Sequence, residues 1–370
     1  AVDEARQESN RYRLRAGEIG LGANRLEGPV SDLLPSDIIL PPPPQSARGK
    51  ALARAGERAI RDGRAAVVTL AGGLGTRWAQ GAGLVKALDP FLPVRGVHRS
   101  FLEIHLAKSE RSARLSGFPL QHAVTLSAVN RRAVAAALFR AGNFSFSGRL
   151  RLSPSPLLLR RLVPTAGDLA SSGDPSLAAF AGWARERGEG SDLAAADPLD
   201  SLHPPGHWCE IAALIRNGTL GRMLASNRRL CLLFVHNLDA LGAGLDPRLL
   251  ALHLEAGSTL TFEAIPRLWG DRGGFLARAG GRKRIVEALA LPREADADRL
   301  SWYNSLSCWI SIDPFLAFLG LERSDALAAR RDEGGARVEA ALERTERRLK
   351  TYAVLKRAWE EDDAGRRRKV

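Results

Sequence analysis

The chain is poor in the residues that build disulfide frameworks and metal knuckles. Its 370 residues include three cysteines, Cys209, Cys231 and Cys308, with no C-x-x-C pair among them. That excludes a disulfide scaffold, argues against structural zinc and leads us to expect a reducing, cytoplasmic setting. No apolar run approaches the roughly 20 residues of a membrane span, so integral membrane insertion is not expected. The opening AVDEARQESN is acidic and polar, without the apolar core of an intact signal peptide. Aromatic residues make up 6% and do not alternate with cations as a base-stacking platform needs, so nucleic acid is not an expected partner. Lysine occurs only seven times among 54 cationic residues, which makes each lysine more informative than usual.

What the chain does have is positive charge and alternating apolar runs. The formal net charge is +13 and the pI near 10.5, which attracts anions such as phosphorylated metabolites. The only dense cationic block is Arg366-Arg367-Arg368-Lys369, so most of the excess is spread along the chain. Residues 1–63 read as an extension: a charged helical start, four prolines at 41–44 that favour an extended stretch, then an amphipathic helix over 49–62. Short apolar runs follow at 65–71, 122–128, 230–235, 258–264 and 300–311, with helical patterns over 101–115, 131–142, 209–226 and 247–257 between several of them. Such alternation predicts a layered α/β domain over 64–320 with a mixed, mostly parallel sheet. The polar, Gly/Pro-rich stretch 167–206 reads as a long loop or insertion. Residues 321–370 read as a C-terminal helical segment with a basic tail, strongly helical from Arg323 onward.

The sharpest motif is Leu70-Ala71-Gly72-Gly73-Leu74-Gly75-Thr76-Arg77, directly after a predicted strand. Closely spaced glycines let backbone N–H groups approach a phosphate chain without Cβ obstruction. Arg77 adds a charged fork, and Lys86 lies nine residues on, a combination suited to a triphosphate tail. The lysine spacing is not that of a Walker P-loop, and the glycine spacing is not that of a dinucleotide fingerprint.

At these residues the sequence resembles the UDP-sugar pyrophosphorylase family, the UTP–glucose-1-phosphate uridylyltransferases and their relatives. It reads as a divergent, bacterial-type member. LAGGLGTRW followed by VKAL is similar to the family signature L-x-G-G-x-G-T-x-x-G with its later lysine, with Trp78 where Met or Leu is usual. Six more ordered segments continue the likeness: SFLEIHLAKSE, FPLQHAVTLSAVN, PPGHWCEIAALIRNGTLGRML, LLFVHNLDALGAGLDPRLLALHLEAG, GGRKRIVEALALP and WYNSLSCWIS. The resemblance implies a Rossmann-like, GT-A-like nucleotidyltransferase fold. It also implies an activity: joining an NTP, UTP first, to a sugar 1-phosphate, giving an NDP-sugar and pyrophosphate.

The same resemblance implies roles for single residues. Ala71, Gly72, Gly73, Gly75 and Thr76 would hold the nucleotide, with Ser127, Gly206, His207 and Asn237 as further nucleotide contacts. Arg77 and Lys86 would neutralise charge on the departing pyrophosphate, and Lys356 would meet the sugar phosphate. Glu287 and Asn304 would hydrogen-bond sugar hydroxyls. Asp239 would carry Mg²⁺ or Mn²⁺, a hard ion that can take its other ligands from phosphate oxygens and water.

The departures fall on the base- and sugar-reading positions. The family's H-G-D-I-Y is His207-Trp208-Cys209-Glu210-Ile211 here, which would set a large ring where backbone approaches the ligand. N-T-N-N is Asn304-Ser305-Leu306-Ser307, and N-V-D-N is Asn237-Leu238-Asp239-Ala240. No glutamine follows Gln121, whereas the family has one in its central nucleotide-binding stretch. Altered sugar or base choice is therefore expected. The alternatives are a catalytically weakened nucleotide-binding module of the same fold and, more distantly, a basic nucleic-acid-binding protein.

Overall fold

The computed structural model describes residues 2–73, 85–155, 158–172, 174–195, 201–271, 274–356, 359–361 and 367–369. Among them, nine strands form one central sheet: β1 Val30–Asp32, β2 Ala65–Leu70, β3 Gln121–Ser127, β4 Arg149–Ser155, β5 Leu232–Asn237, β6 Leu260–Pro266, β7 Phe275–Ala279, β8 Arg282–Val286 and β9 Trp302–Ser311. The path across it is β1-β7-β9-β5-β2-β3-β4, with β6 also paired to β9 and β8 to β7. The sheet is mixed. The parallel pairings are confined to β5-β2-β3-β4, and every pairing on the far side of β5 is antiparallel. The expected weight on parallel strands therefore holds for only one half.

Burial follows from this layering. Every residue of β2 and β3 is buried, as strands covered on both faces must be, and this is why they read as continuous apolar runs. On one face the sheet packs against the His207–Arg216 and Thr219–Ser226 helices and the C-terminal helices, around Leu214, Met223, Val235 and Leu342. On the other, the Ala47–Arg61 and Pro247–Ala256 helices cover Val67, Phe234 and Trp309. The Phe101–Ser116 and Arg131–Arg140 helices cover Val124 and Leu126.

Two expectations need correction. The stretch 167–206 is not a plain loop. It contains short helices at Ala166–Ser171, Pro175–Ala178 and Ala181–Arg187, which gather around their own small core of Val163, Leu169, Ala184 and Leu193. At the other end, helix runs only to Glu346. Residues 351–356 have no regular structure, and Trp359–Glu361 pairs with Arg367–Lys369 as a two-stranded ribbon. The reason is tertiary. Lys350 Nζ donates to the Asn24 and Arg25 carbonyls, while the Asn24 side chain both donates to and accepts from the Ala353 backbone. These bonds draw the chain out against the N-terminal region and override its local helix preference.

Candidate active site

The parallel strands β2, β3 and β5 end together, and the candidate residues cluster at that carboxyl edge, where open α/β sheets place ligands. Leu70 is in register with Asn237 on one side and Thr125 on the other. Leu238 N–H donates to the Leu70 carbonyl (3.0 Å), tying the turn after β5 to the end of β2. Ala71 is held from both sides: its N–H donates to Thr125 Oγ1 (3.1 Å) and its carbonyl accepts from Asn130 Nδ2 (2.7 Å). Gly75, Thr76 and Arg77 lie outside the described residues.

Lys86 opens a short helical turn and reaches across to Asp239, with Nζ 2.7 Å from Oδ2. Asp239 itself is held by its neighbours. His105 Nε2 donates to the Leu238 carbonyl (2.7 Å), and Lys108 Nζ donates to the carbonyls of Leu241 and Ala243. Both come from the Phe101–Ser116 helix, so one helix fixes the turn that presents the carboxylate. Among the described residues no three His, Cys, Asp or Glu side chains converge as a metal cage. A half-exposed single carboxylate beside the glycine turn suits a hard cation that takes its remaining oxygen ligands from elsewhere.

The strongest unforeseen contact involves Glu210. This buried carboxylate accepts the Gly72 N–H on Oε2 (3.1 Å) and the Thr125 hydroxyl on the same oxygen. Its Oε1 accepts from His207 Nδ1 (3.1 Å). A Cβ at Gly72 would lie 2.9 Å from Glu210 Oε2, so glycine is what admits the carboxylate here. His207 follows Gly206, whose φ of 115° suits glycine alone. The hydrogen bond to Glu210 raises the His207 pKa above its ordinary value, and the charges of Glu210, Asp239 and Glu287 add to this. The spacing of His207 and Glu210, three apart at the start of a helix, was the available signal.

The two sugar-side candidates also come together. Glu287 Oε2 accepts the Gly274 N–H (3.2 Å), and the Asn304 N–H donates to the Gly274 carbonyl (2.7 Å). The Asn304 side chain is buried and accepts from Leu306 N–H (3.0 Å), while Leu306 is left-handed with φ 56°.

Other candidates are placed differently. Ser127 is buried and forms a turn with Asn130, through Ser127 N–H to Asn130 Oδ1 (2.9 Å). Asn237 Oδ1 accepts the neighbouring Leu238 N–H (2.9 Å). Lys356 stands in the irregular 351–356 segment rather than on a helix. Its charge helps keep the His203 pKa low, though burial is the larger cause. The Trp208 ring does not stand over the site. It packs on the core edge-on to Phe315, with centroids 6.4 Å apart, because the helix turn that aims Glu210 inward at Gly72 carries Trp208 toward the C-terminal helices.

A mixed α/β sheet with a glycine turn and an acidic turn at its parallel edge defines the nucleotidyltransferase class of fold. Solved structures agree. A putative UDP-N-acetylglucosamine pyrophosphorylase from Entamoeba histolytica superposes with TM-score 0.57 at 16% identity, covering 87% of this chain and 70% of that one. A uridine diphosphate N-acetylglucosamine pyrophosphorylase from Trypanosoma brucei gives 0.53 at 18%, covering 86% and 56%. By sequence, residues 191–320 match the family model described as UTP–glucose-1-phosphate uridylyltransferase. A Saccharomyces cerevisiae UTP–glucose-1-phosphate uridylyltransferase is 31% identical over 121 residues, 31% of this chain and 24% of that protein. A probable one from Schizosaccharomyces pombe is 28% identical over 123 residues, 32% and 24%. Residues 191–320 are thus similar in sequence to the UTP–glucose-1-phosphate uridylyltransferases, and the solved structures share the fold. The chain matches about a quarter of the yeast relatives' length. These relatives are fungal, so the bacterial-type reading is not borne out.

Proposed function

We propose that this protein is a cytoplasmic nucleotidylyltransferase that joins an NTP, UTP first, to a sugar 1-phosphate and releases pyrophosphate, with altered sugar or base choice. The observation that carries the reading is the meeting of the Ala71–Gly73 turn with the Lys86–Asp239 pair at one sheet edge. In the reaction a sugar-phosphate oxygen forms a bond to the α-phosphorus as the bond to pyrophosphate breaks. Positioning and charge neutralisation therefore carry the catalysis. Lys86 stabilises the charge growing on the leaving pyrophosphate. Asp239 is the residue to hold Mg²⁺ or Mn²⁺, which supplies charge neutralisation at the phosphates when bound. Arg77 joins Lys86 at the departing pyrophosphate; Ala71, Gly72, Gly73, Gly75, Thr76, Ser127, Gly206, His207 and Asn237 are assigned to the nucleotide, Glu287 and Asn304 to the sugar, and Lys356 to its phosphate.

A second reading, a nucleotide-binding module with weakened turnover, is favoured by one contact: Glu210 already takes the Gly72 N–H. A carboxylate there repels a phosphate and removes a donor that a phosphate would use. Pyrophosphate release from Mg²⁺, each NTP and a panel of sugar 1-phosphates separates the two. Release under some pairing, abolished by Asp239→Ala and by Lys86→Ala, supports the enzyme. Thermal stabilisation by UTP with no release under any pairing supports the module.

A further inference from the structure

At the opposite edge of the same sheet lies a second basic feature. Gln121 begins β3 and Ser127 ends it, so this edge is about 20 Å from the candidate active site at roughly 3.3 Å per residue. A hollow of about 420 Å³ opens there, lined by Asp62, Gln121, Arg149, Ser226, Arg228 and Arg229 among others. Arg151 stands against its wall, with Nη2 donating to Ser226 Oγ (3.0 Å) and Nε to Gln121 Oε1 (3.4 Å). Arg149 Nη1 donates to the Ser226 carbonyl (2.9 Å). Arg222, on the same helix as Ser226, donates to the Asn217 carbonyl and the Thr219 hydroxyl, both neutral.

Among the described residues these arginines form no ion pair with a carboxylate. Elsewhere part-buried arginines meet carboxylates: Arg216 with Glu339, Arg248 with Asp246, Arg278 with Asp37. Among the described residues, none of Arg149, Arg151, Arg222, Arg228 and Arg229 has a carboxylate within ion-pair distance, and Asp62 is the one acidic group on the hollow's lining. Arg151 is only part-exposed, and burial together with the charges of Arg222 and Arg149 lowers its pKa. Like charges held together around a concave surface, satisfied only by neutral acceptors, favour an incoming anion that accepts from several forks at once. The hollow falls in the size range of small-molecule sites.

We propose that this hollow is a second anion site, separate from the nucleotide-binding edge, and that its ligand is a small phosphorylated molecule held by Arg149, Arg151, Arg228 and Arg229. The probe is inorganic pyrophosphate, titrated calorimetrically into the full chain at constant ionic strength. Arg149→Gln/Arg151→Gln is expected to weaken one binding event by about tenfold or more, as loss of charge-assisted bonds should. That same event is expected to survive Lys86→Met, whatever becomes of the assignment at the other edge. If the double variant is poorly folded, Arg228→Ser/Arg229→Ser on the exposed turn gives the same reading, with an expected loss of about fivefold. Unchanged affinity in a folded variant overturns the proposal. So does full displacement by equimolar chloride, or binding confined to a polynucleotide.

Discussion

The Lys86 ammonium and the Asp239 carboxylate are 2.7 Å apart and neutralise each other across the mouth of the site. One comes from the turn after the glycine motif, the other from the turn after β5, so the contact joins two segments more than 150 residues apart. Both side chains keep some exposure, 18% and 45%, and such a pair adds little to stability, about 0–1 kcal/mol. A metal-bound polyphosphate offers each partner a replacement: a cation for Asp239 and phosphate oxygens for Lys86. The pair thus holds both groups in place at little energetic cost to separating them.

Removing either partner should therefore hurt function far more than folding. Lys86→Ala and Asp239→Ala are each expected to lower the rate of pyrophosphate release by about 10²–10³-fold, as removal of a charge-stabilising group does. Their denaturation midpoints should correspond to losses of about 1 kcal/mol or less. Rates and urea melts on the same preparations test this. A loss of stability that accounts for the whole loss of rate would make the pair structural.

The contact between His207 and Glu210 should show in a titration. His207 has its pKa raised by the Glu210 hydrogen bond. Its favourable interaction is fully present below the unfolded value of about 6.5 and is lost as pH rises through the folded value. An NMR titration of the His207 ring should give a pKa above that of a free histidine. Glu210→Gln should bring it back down. Because the ring is half-exposed, 51%, solvent screening makes the stability effect small and the titration the better measure.

How much of this could be read from the chain depends on what each residue answers to. The strands β2, β3 and β5 were legible because burial on both faces leaves an unbroken apolar run. The glycine motif, Lys86 and Asp239 stood out because each sits in a local motif, and the structure brings Lys86 and Asp239 together. Glu210 was visible as a departure from a pattern and in its spacing from His207, but its partners lie far off in sequence, Gly72 after β2 and Thr125 in β3. Trp208 looked like an obstruction because sequence shows size but not which side of a helix turn faces the site. The 350–356 segment reads as helix because its contacts to Asn24 are more than 300 residues away.

Trp208 also provides a packing test. Its ring packs edge-on to Phe315, but its buried indole N–H has no hydrogen-bond partner among the described residues. Trp208→Phe keeps most of the aromatic contact and removes an unsatisfied donor, whose burial costs about 1–3 kcal/mol. The stability should change by less than about 1 kcal/mol in either direction. Trp208→Gly, which restores the family residue, should cost about 3–5 kcal/mol from the emptied core and bring no gain in rate. A faster Trp208→Gly enzyme would show that the ring obstructs the ligand after all.

The left-handed Leu306 offers a gain. A Cβ-bearing residue at φ 56° carries roughly 1–2 kcal/mol of strain, which Asn tolerates better because its short amide bonds locally. Leu306→Asn also returns an amide next to Asn304, whose Oδ1 accepts the Leu306 N–H (3.0 Å). The variant is expected to be more stable by about 0.5–1 kcal/mol in urea melts. If the amide reaches the sugar, KM for the sugar 1-phosphate should fall while KM for UTP stays unchanged.

Acid should unfold this protein steeply, and the reason lies beneath the site. His105, His122 and His236 are all buried, linked by Thr69 Oγ1 to His122 Nε2 (2.8 Å) and to His236 Nε2 (3.0 Å), with Ser109 Oγ on His122 Nδ1 (2.8 Å). Burial lowers His105 to about 4 and His122 to about 3, and lowers His236 well below its ordinary value. These histidines stay neutral in the folded protein while the unfolded chain takes up protons from about pH 6.5 downward. Stability is complete above that value and falls as pH drops toward the folded values. Each group contributes a slope of about 1.4 kcal/mol per pH unit, so the three together give about 4 kcal/mol between roughly pH 6 and 5. Urea melts over that interval measure the slope directly. His122→Asn should reduce it by about a third, because one proton-binding group is gone from the unfolded chain. A flat profile over that interval would mean that the three rings are already charged in the folded protein.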